Sequence, residues 1–561
     1  MSWRPALPLW ARGPFWPLAL LAVAVWLTAW GPCAAPWQTG CFSHGGWGDY
    51  KFHYQGWISY LHSDRWIPPT SRAFTWPETS SVMFTDSLPL AAIVFKPLTR
   101  LLRLGDWQYL SLLSLANGLL IAGCSATIAR VRGWRPLATL CIGALLLTAP
   151  VSWSRLVVSH EALQLQGLLL LALTWLIAGR DAPAPWILLS AASLGIHAYF
   201  TPMLLAAALV AQIQRVRCQG GSRRRQALAL LRWGAILALT LAAAAWVFGF
   251  QSGSASSGSE VWGANGLALL DPQSHSLLLP PLRKREPFEV EGFAYLGIGV
   301  ALGAVLLLAQ QDGDRRDAAP LLPPLWWAAA ALLFLAALGP TWNLADTPIT
   351  PHNAVLALPG ARLFYDLFRS AGRFTWPLAY SLLLWVGDGL ARQRRQPLLL
   401  LLTALQLLEV NLRLIVRLGD SHRHRLWREA DPVLQWQARE PALAAALSRA
   451  SLTLLGTTRS PAALPPPYAP QRLNPAIESN WGGVGITRLP RQLYGLPPLE
   501  AWIAAIEERL SRGQPALLPH ERVLVISEDP QQRARLTSLA RRAGLRITGV
   551  GSTALQLSPS P

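Results

Sequence analysis

The residues best suited to chemistry gather early in the chain, in the stretch "HGGWGDYKFHYQGWISYLHSDRWIPPTSRAFTWPETSSVMFTDSLPLAAIVFKPL". Asp49 comes first, His53 and Trp57 follow at helical spacing, and a second acidic cluster stands at Glu78 and Asp86. Two acids that bracket an aromatic-lined surface suit sugar chemistry. One carboxylate can act as general base on an acceptor hydroxyl, and a second can hold a divalent cation against a diphosphate leaving group. Tryptophan rings stack on sugar faces, but they also anchor at a membrane interface. The plainer roles are a helix cap for Asp49 and an aromatic belt for Trp57 and Trp66.

The surroundings of these residues are lipid-like. The 561 residues are 52% hydrophobic and only 14% charged, with a mean hydropathy of +0.29. That charge content is low against the roughly 25% of soluble domains, and the hydrophobic fraction excludes disorder. Five cysteines are too few for a disulfide scaffold. Apolar runs near 14–35, 107–129, 136–152, 161–179, 185–200, 201–214, 226–250, 293–310, 320–339, 374–391 and 397–416 make about eleven crossings. The net charge of +19 sits in short basic hinges, among them Arg130–Arg135, Arg215–Arg225 and Arg392–Arg395. Their alternation with the runs places them and the N-terminus in the cytoplasm, and dispersal of this kind argues against nucleic acid. Segment 87–103, with Lys96, Pro97, Arg100 and Arg103, reads as a surface-lying helix. The pair 185–200 and 201–214 reads as a re-entrant hairpin with His197 at its tip.

The expected architecture is an all-α polytopic membrane protein, with a transmembrane domain over 1–416 and a large first outer loop over 36–106. The tail, 417–561, is expected to be an outward-facing soluble domain. It reads as helical over about 427–450, then Pro-rich, then strand 522–527, helix 529–544 and strand 545–550, a small α/β fold. Cys33 and Cys41 lie outside, eight residues apart, where a disulfide can form or two thiols can remain.

The order of helix, Asp49, "W..P", "D.LPL", amphipathic helix and basic hinge resembles the GT-C superfamily of integral membrane glycosyltransferases. The segments "VVSHEALQLQGLLLL", "IHAYFTPM", "EGFAYLGIG" and "FRSAGRFTWPLAY" resemble an uncharacterised bacterial branch of it, a domain of unknown function. The resemblance covers about 1–416. It implies transfer of a sugar from a polyprenyl-phosphate donor to an acceptor glycan, lipid or protein on the outer face of the bacterial inner membrane. It implies Asp49 as base or metal ligand, with Gly48 where several relatives carry a second acid. Glu161 and Asp86 are the supporting acids, and the only cofactor implied is a divalent cation, Mg2+ or Mn2+, on Asp49 and Glu161. His53, Trp57, His160, His197, Glu291, Arg369 and Arg373 are the expected substrate contacts. Arg369 and Arg373, four apart, share one helical face and can grip a lipid phosphate. Interfacial snorkelling is the alternative for that pair. A helix start is the alternative for His160-Glu161, and ordinary hydrogen bonding for His197. The competing function is a transporter or lipid flippase, which would need ionisable residues at membrane depth; Asp388 and Glu409 are the main ones. A third reading is an assembly protein without chemistry.

Overall fold

The computed structural model describes residues 14–43, 50–71, 80–85, 88–158, 160–250, 261–285, 287–309, 320–393, 395–427, 442, 446, 452–455, 498–517, 522–527, 529–550 and 554–560. It is mostly helical and divides into two compact units. The first comprises Met1–Pro36, Tyr109–Ala244 and Ser256–Arg423; the second comprises Trp37–Gln108, Ala245–Ala255 and His424–Pro561. The expected boundary at 416/417 therefore falls at 423/424, and the first loop groups with the tail.

The first unit is a helical membrane domain. Among the described residues, five helices are long and apolar enough to cross a bilayer: Phe15–Ala34, Leu110–Arg132, Pro136–Val157, Arg223–Val247 and Gln396–Arg423. Four apolar helices are shorter: Glu161–Ile177, Pro183–Leu194, Ile298–Ala309 and Pro324–Ala337. Eleven full spans are thus more than the described residues show. Proline explains part of the difference, because it lacks the N–H that continues a helix but fits its first turn. Pro150 and Pro183 each start a helix in this way, and the expected run 161–179 begins as the 3-10 turn Glu161–Gln164 before Gly167–Ile177.

The helices pack closely where side chains are small, as membrane helices do. A Cβ at Gly299 would collide with the Leu402 carbonyl, and one at Gly387 would press on Ile142. Pro183–Leu194 and Phe200–Gln219 form the expected hairpin, with His197 in its turn. Asp181 and Arg215 join its two ends (3.4 Å). Both ends of the helix Trp376–Arg392 (17 residues, about 25 Å at 1.5 Å per residue) carry charge. At the C-terminal end Arg132 grips Asp388 (2.8 and 3.0 Å), with Trp134 and Arg392 beside it. At the N-terminal end lies the site described below.

The second unit contains the helix Tyr50–Leu61, a short pairing of Thr70–Ser71 with Ser80–Ser81, and the helix Pro89–Leu101. This last helix is amphipathic, burying Ala91, Ala92, Lys96 and Thr99 while Val94, Leu98 and Leu101 are exposed. The tail forms a four-stranded sheet in the order Leu452–Leu455, Val523–Ile526, Ala554–Pro559, Leu545–Val550. The first pair is parallel and the other two are antiparallel. Trp502, Ile503, Leu536 and Leu539 from the helices Pro498–Ser511 and Pro530–Arg542 cover it. Cys33 and Cys41 are both disulfide-bonded, whereas Cys124, Cys141 and Cys218 are free.

Candidate functional site

Three side chains of the first unit, Arg155, His160 and Arg373, converge on one buried carboxylate, Glu291, and a fourth, Tyr199, packs on Arg373. Arg155 comes from the helix Pro150–Val157 and donates from Nη1 to Glu291 Oε2 (3.0 Å) and from Nη2 to the Val290 carbonyl (3.1 Å). Arg373, in the 3-10 turn Ala371–Thr375, donates from Nε to the same oxygen (2.9 Å). His160 holds Nδ1 3.7 Å from Oε1. Tyr199, in the turn between the hairpin helices, lays its ring 4.6 Å from the Arg373 guanidinium and accepts the Ser370 N–H at 2.7 Å.

Two glycines allow this meeting. A Cβ at Gly292 would fall 2.5 Å from Ala264, and one at Gly372 would fall 2.7 Å from the Gly292 nitrogen. Backbone therefore packs on backbone, and Glu291 and Arg373, each one residue from its glycine, are brought side by side. Phe364, Phe368 and Phe374 stand around Tyr199 and one another at 5.2–5.8 Å. Arg369 lies over the Trp262 ring (5.1 Å).

Burial on its own pushes the Glu291 carboxyl up. Arg373, His160 and Arg155 outweigh that effect and hold it well below the usual carboxylate range. With Glu291 ionised, Arg155 and Arg373 both donate to the same oxygen of its carboxylate.

His160, Glu291 and Arg373 are thus brought together, and Glu161 is buried next to His160 in the turn Glu161–Gln164. His197 sits at the hairpin tip, accepts the Tyr199 N–H on Nδ1 (3.3 Å) and packs against the Tyr199 ring (5.4 Å). His53 and Trp57 lie in the second unit and are buried. Trp57 donates to the Trp107 carbonyl (2.8 Å) and meets its ring edge-on, so it offers no open face for a sugar. Asp49, Glu78 and Asp86 lie outside the described residues. Among the described residues, no group of three or more His, Cys, Asp or Glu is placed to hold a metal ion. Glu289 is held by Asn265 and Asn343, both at 3.0 Å, and ties its loop together. Sequence reasoning missed Arg155, whose signal was a lone arginine inside the apolar stretch "PVSWSRLVV"; an intramembrane charge of that kind needs a partner.

A family described as a domain of unknown function, DUF6311, matches residues 18–411. The chain belongs to that family. No curated protein matches it. The DUF6311 region contains every residue of the Glu291 node and stops short of the C-terminal sheet.

The acids that bear on transport, Asp388 and Glu409, also lie in the DUF6311 region. Asp388 is ion-paired as described above. Glu409 lies in the π-helical turn Leu407–Asn411, accepts the Tyr295 hydroxyl (2.9 Å) and faces the Ile298 N–H (3.4 Å). Gln406 accepts the Gly299 and Val300 N–H groups (3.0 and 3.3 Å). Together they satisfy the otherwise orphaned first N–H groups of the helix Ile298–Ala309.

Proposed function

We propose that this DUF6311 chain is a membrane glycosyltransferase of the GT-C type, moving a sugar from a polyprenyl-phosphate donor to an acceptor on the outer face of the bacterial inner membrane. The observation that carries this reading is the meeting of two guanidiniums, Arg155 and Arg373, at Glu291, beside the aromatic rings of Tyr199, Phe368 and Phe374. Guanidiniums are the side chains best suited to a lipid phosphate, which they can grip through more than one N–H.

In the reaction, an acceptor hydroxyl oxygen attacks the anomeric carbon while the bond from that carbon to the phosphate oxygen breaks. The phosphate leaves with the electron pair, and Arg373 and Arg155 stabilise its growing charge. The acceptor proton passes to a carboxylate, for which Asp49 is the assigned base, with Asp86 and Glu161 in support. A divalent cation, where required, falls to Asp49 and Glu161. The structural engagement of Asp388 and Glu409 supports transfer over transport, because neither is left to carry an ion or a proton.

The test is incubation of purified protein with radiolabelled polyprenyl-phosphate sugars, in the presence of membrane extract as acceptor source. Asp49→Asn should abolish release of label. Arg373→Ala should raise the apparent donor KM roughly 10- to 100-fold, the equivalent of about 1.4–2.7 kcal/mol. An unchanged donor KM in Arg373→Ala sinks the phosphate assignment. Uptake of substrate into proteoliposomes without label release would replace transfer by transport.

A further inference from the structure

Away from the Glu291 node, the helices Phe15–Trp30, Leu110–Arg132 and Gly167–Ile177 enclose a crevice of about 280 Å³. It runs toward the end of the bundle at which Arg132 meets Asp388. Leu119, Leu120, Leu171 and Trp175 wall it, and it passes over Gly123, where an added Cβ would find nothing nearer than Phe15 at 4.0 Å. The two hydroxyls in the wall are already used. Thr127 donates to the Gly123 carbonyl (2.8 Å) and Thr174 to the Leu170 carbonyl (2.7 Å). A guest therefore meets apolar surface along the crevice, and polar groups inside it would go unpaired.

Charge enters at one mouth only. Arg180 lines the crevice, and Arg130 reaches the wall residue Thr127 from Nη2 (3.4 Å). Both arginines are exposed, and neither has a carboxylate partner among the described residues. The adjacent acid, Asp181, is held by Arg215. Trp186 fixes the backbone at this mouth by donating to the Arg180 carbonyl (2.9 Å), and its ring meets Trp175 edge-on at 5.2 Å. Tryptophan at this level is the usual companion of lipid headgroups.

We infer that this crevice seats one acyl chain of an acidic glycerophospholipid whose phosphate lies against Arg130 and Arg180. The volume falls just below the roughly 300–1,000 Å³ of ordinary small-molecule sites, which suits a single chain and not a pair. The site is separate from the Glu291 node and does not depend on sugar transfer.

Native mass spectrometry of the full chain, equilibrated with equal amounts of phosphatidylglycerol and phosphatidylcholine, tests it. Wild type should retain one phosphatidylglycerol that survives delipidation. The double variant Arg130→Gln/Arg180→Gln, altered only at exposed side chains, should lose the preference for phosphatidylglycerol by tenfold or more. Gly123→Leu, which fills the crevice, should lose the retained lipid altogether. Excess inorganic phosphate should not displace it; displacement would mean that a bare anion site accounts for the binding and would overturn the acyl seat. Equal retention of the two lipids by wild type, or retention by Gly123→Leu equal to wild type in protein that melts normally, would overturn the proposal as well.

Discussion

The two units each bury cationic side chains, and they satisfy them in opposite ways. In the second unit, the Lys96 ammonium is enclosed by neutral oxygens: the carbonyls of Tyr60 (2.7 Å), Ser63 (2.9 Å) and Arg65 (2.5 Å), with the Ser63 hydroxyl at 3.2 Å. The Tyr60 ring lies 4.1 Å away. These carbonyls belong to the C-terminal end of the helix Tyr50–Leu61 and the turn after it, so Lys96 caps a helix end from a neighbouring helix. Burial, followed by Arg100, pushes Lys96 down to about 7, with Asp64 opposing. In the first unit, Arg155 and Arg373 instead pair with a charged group, the Glu291 carboxylate. The lysine is held by backbone and hydroxyl oxygens and reads as structural, whereas the arginine pair is held through a carboxylate, the arrangement on which the proposed phosphate contact rests.

That contrast can be broken by substitution. Glu291→Gln removes the carboxylate that pairs with both Arg155 and Arg373 and should cost about 3–5 kcal/mol of stability, read as a large drop in the melting temperature of detergent-solubilised protein. A drop of only a degree or so would mean that the node is far more hydrated than its burial indicates. Lys96→Met should cost less, about 1–3 kcal/mol, because it strips donors from buried carbonyls. It should leave donor KM unchanged, and a KM loss matching that of Arg373→Ala would erase the distinction between the two regions.

The pH response sharpens it further. His275 packs against Phe293 (5.3 Å), and burial, with Arg417, Arg155, Arg413 and Lys284, pushes it down to about 4. The folded protein thus keeps His275 neutral where the unfolded chain takes up a proton. Stability contributed by neutral His275 is present above about 6.5 and is lost as pH falls from there toward 4. Glu291, whose pKa is depressed, contributes stability that is present above the ordinary carboxylate value of about 4.3 and is lost only below it. Melting temperature should therefore decline in two stages on acidification, and His275→Gln should remove the first stage alone. A single stage below pH ~4 in wild type would reject the His275 assignment. The smallest effect belongs to Trp57→Phe, which forfeits one buried N–H···O bond worth about 1 kcal/mol. Donor and acceptor preference should not move; a changed sugar preference would return Trp57 to the substrate surface.

Much of this site was legible residue by residue. His160, Glu291 and Arg373 each stood out as an ionisable group beside an apolar run, yet nothing in their spacing linked positions 160, 291 and 373. Arg155 was hidden because it falls between the runs 136–152 and 161–179, in what reads only as a short outward hinge. Lys96 appeared as a sign of a surface helix, since a sequence does not reveal that four oxygens are waiting above it. Trp57 misled for a related reason: tryptophan serves stacking, interface and core equally well, and only its neighbours decide among them.

By itself, the sequence determined that this is a mostly helical membrane protein with basic hinges, a hairpin turning at His197, and a tail that alternates strand and helix. Those features follow from local composition and period, which act over a few residues at a time. The tertiary structure alone decided which charges meet. Close approach at Gly292 and Gly372 draws Glu291 against Arg373, and the break at Pro150 starts the short helix that carries Arg155 to the same carboxylate. Pairing of that kind is settled by packing between distant segments, where the cost of burying an unpaired charge exceeds any local preference.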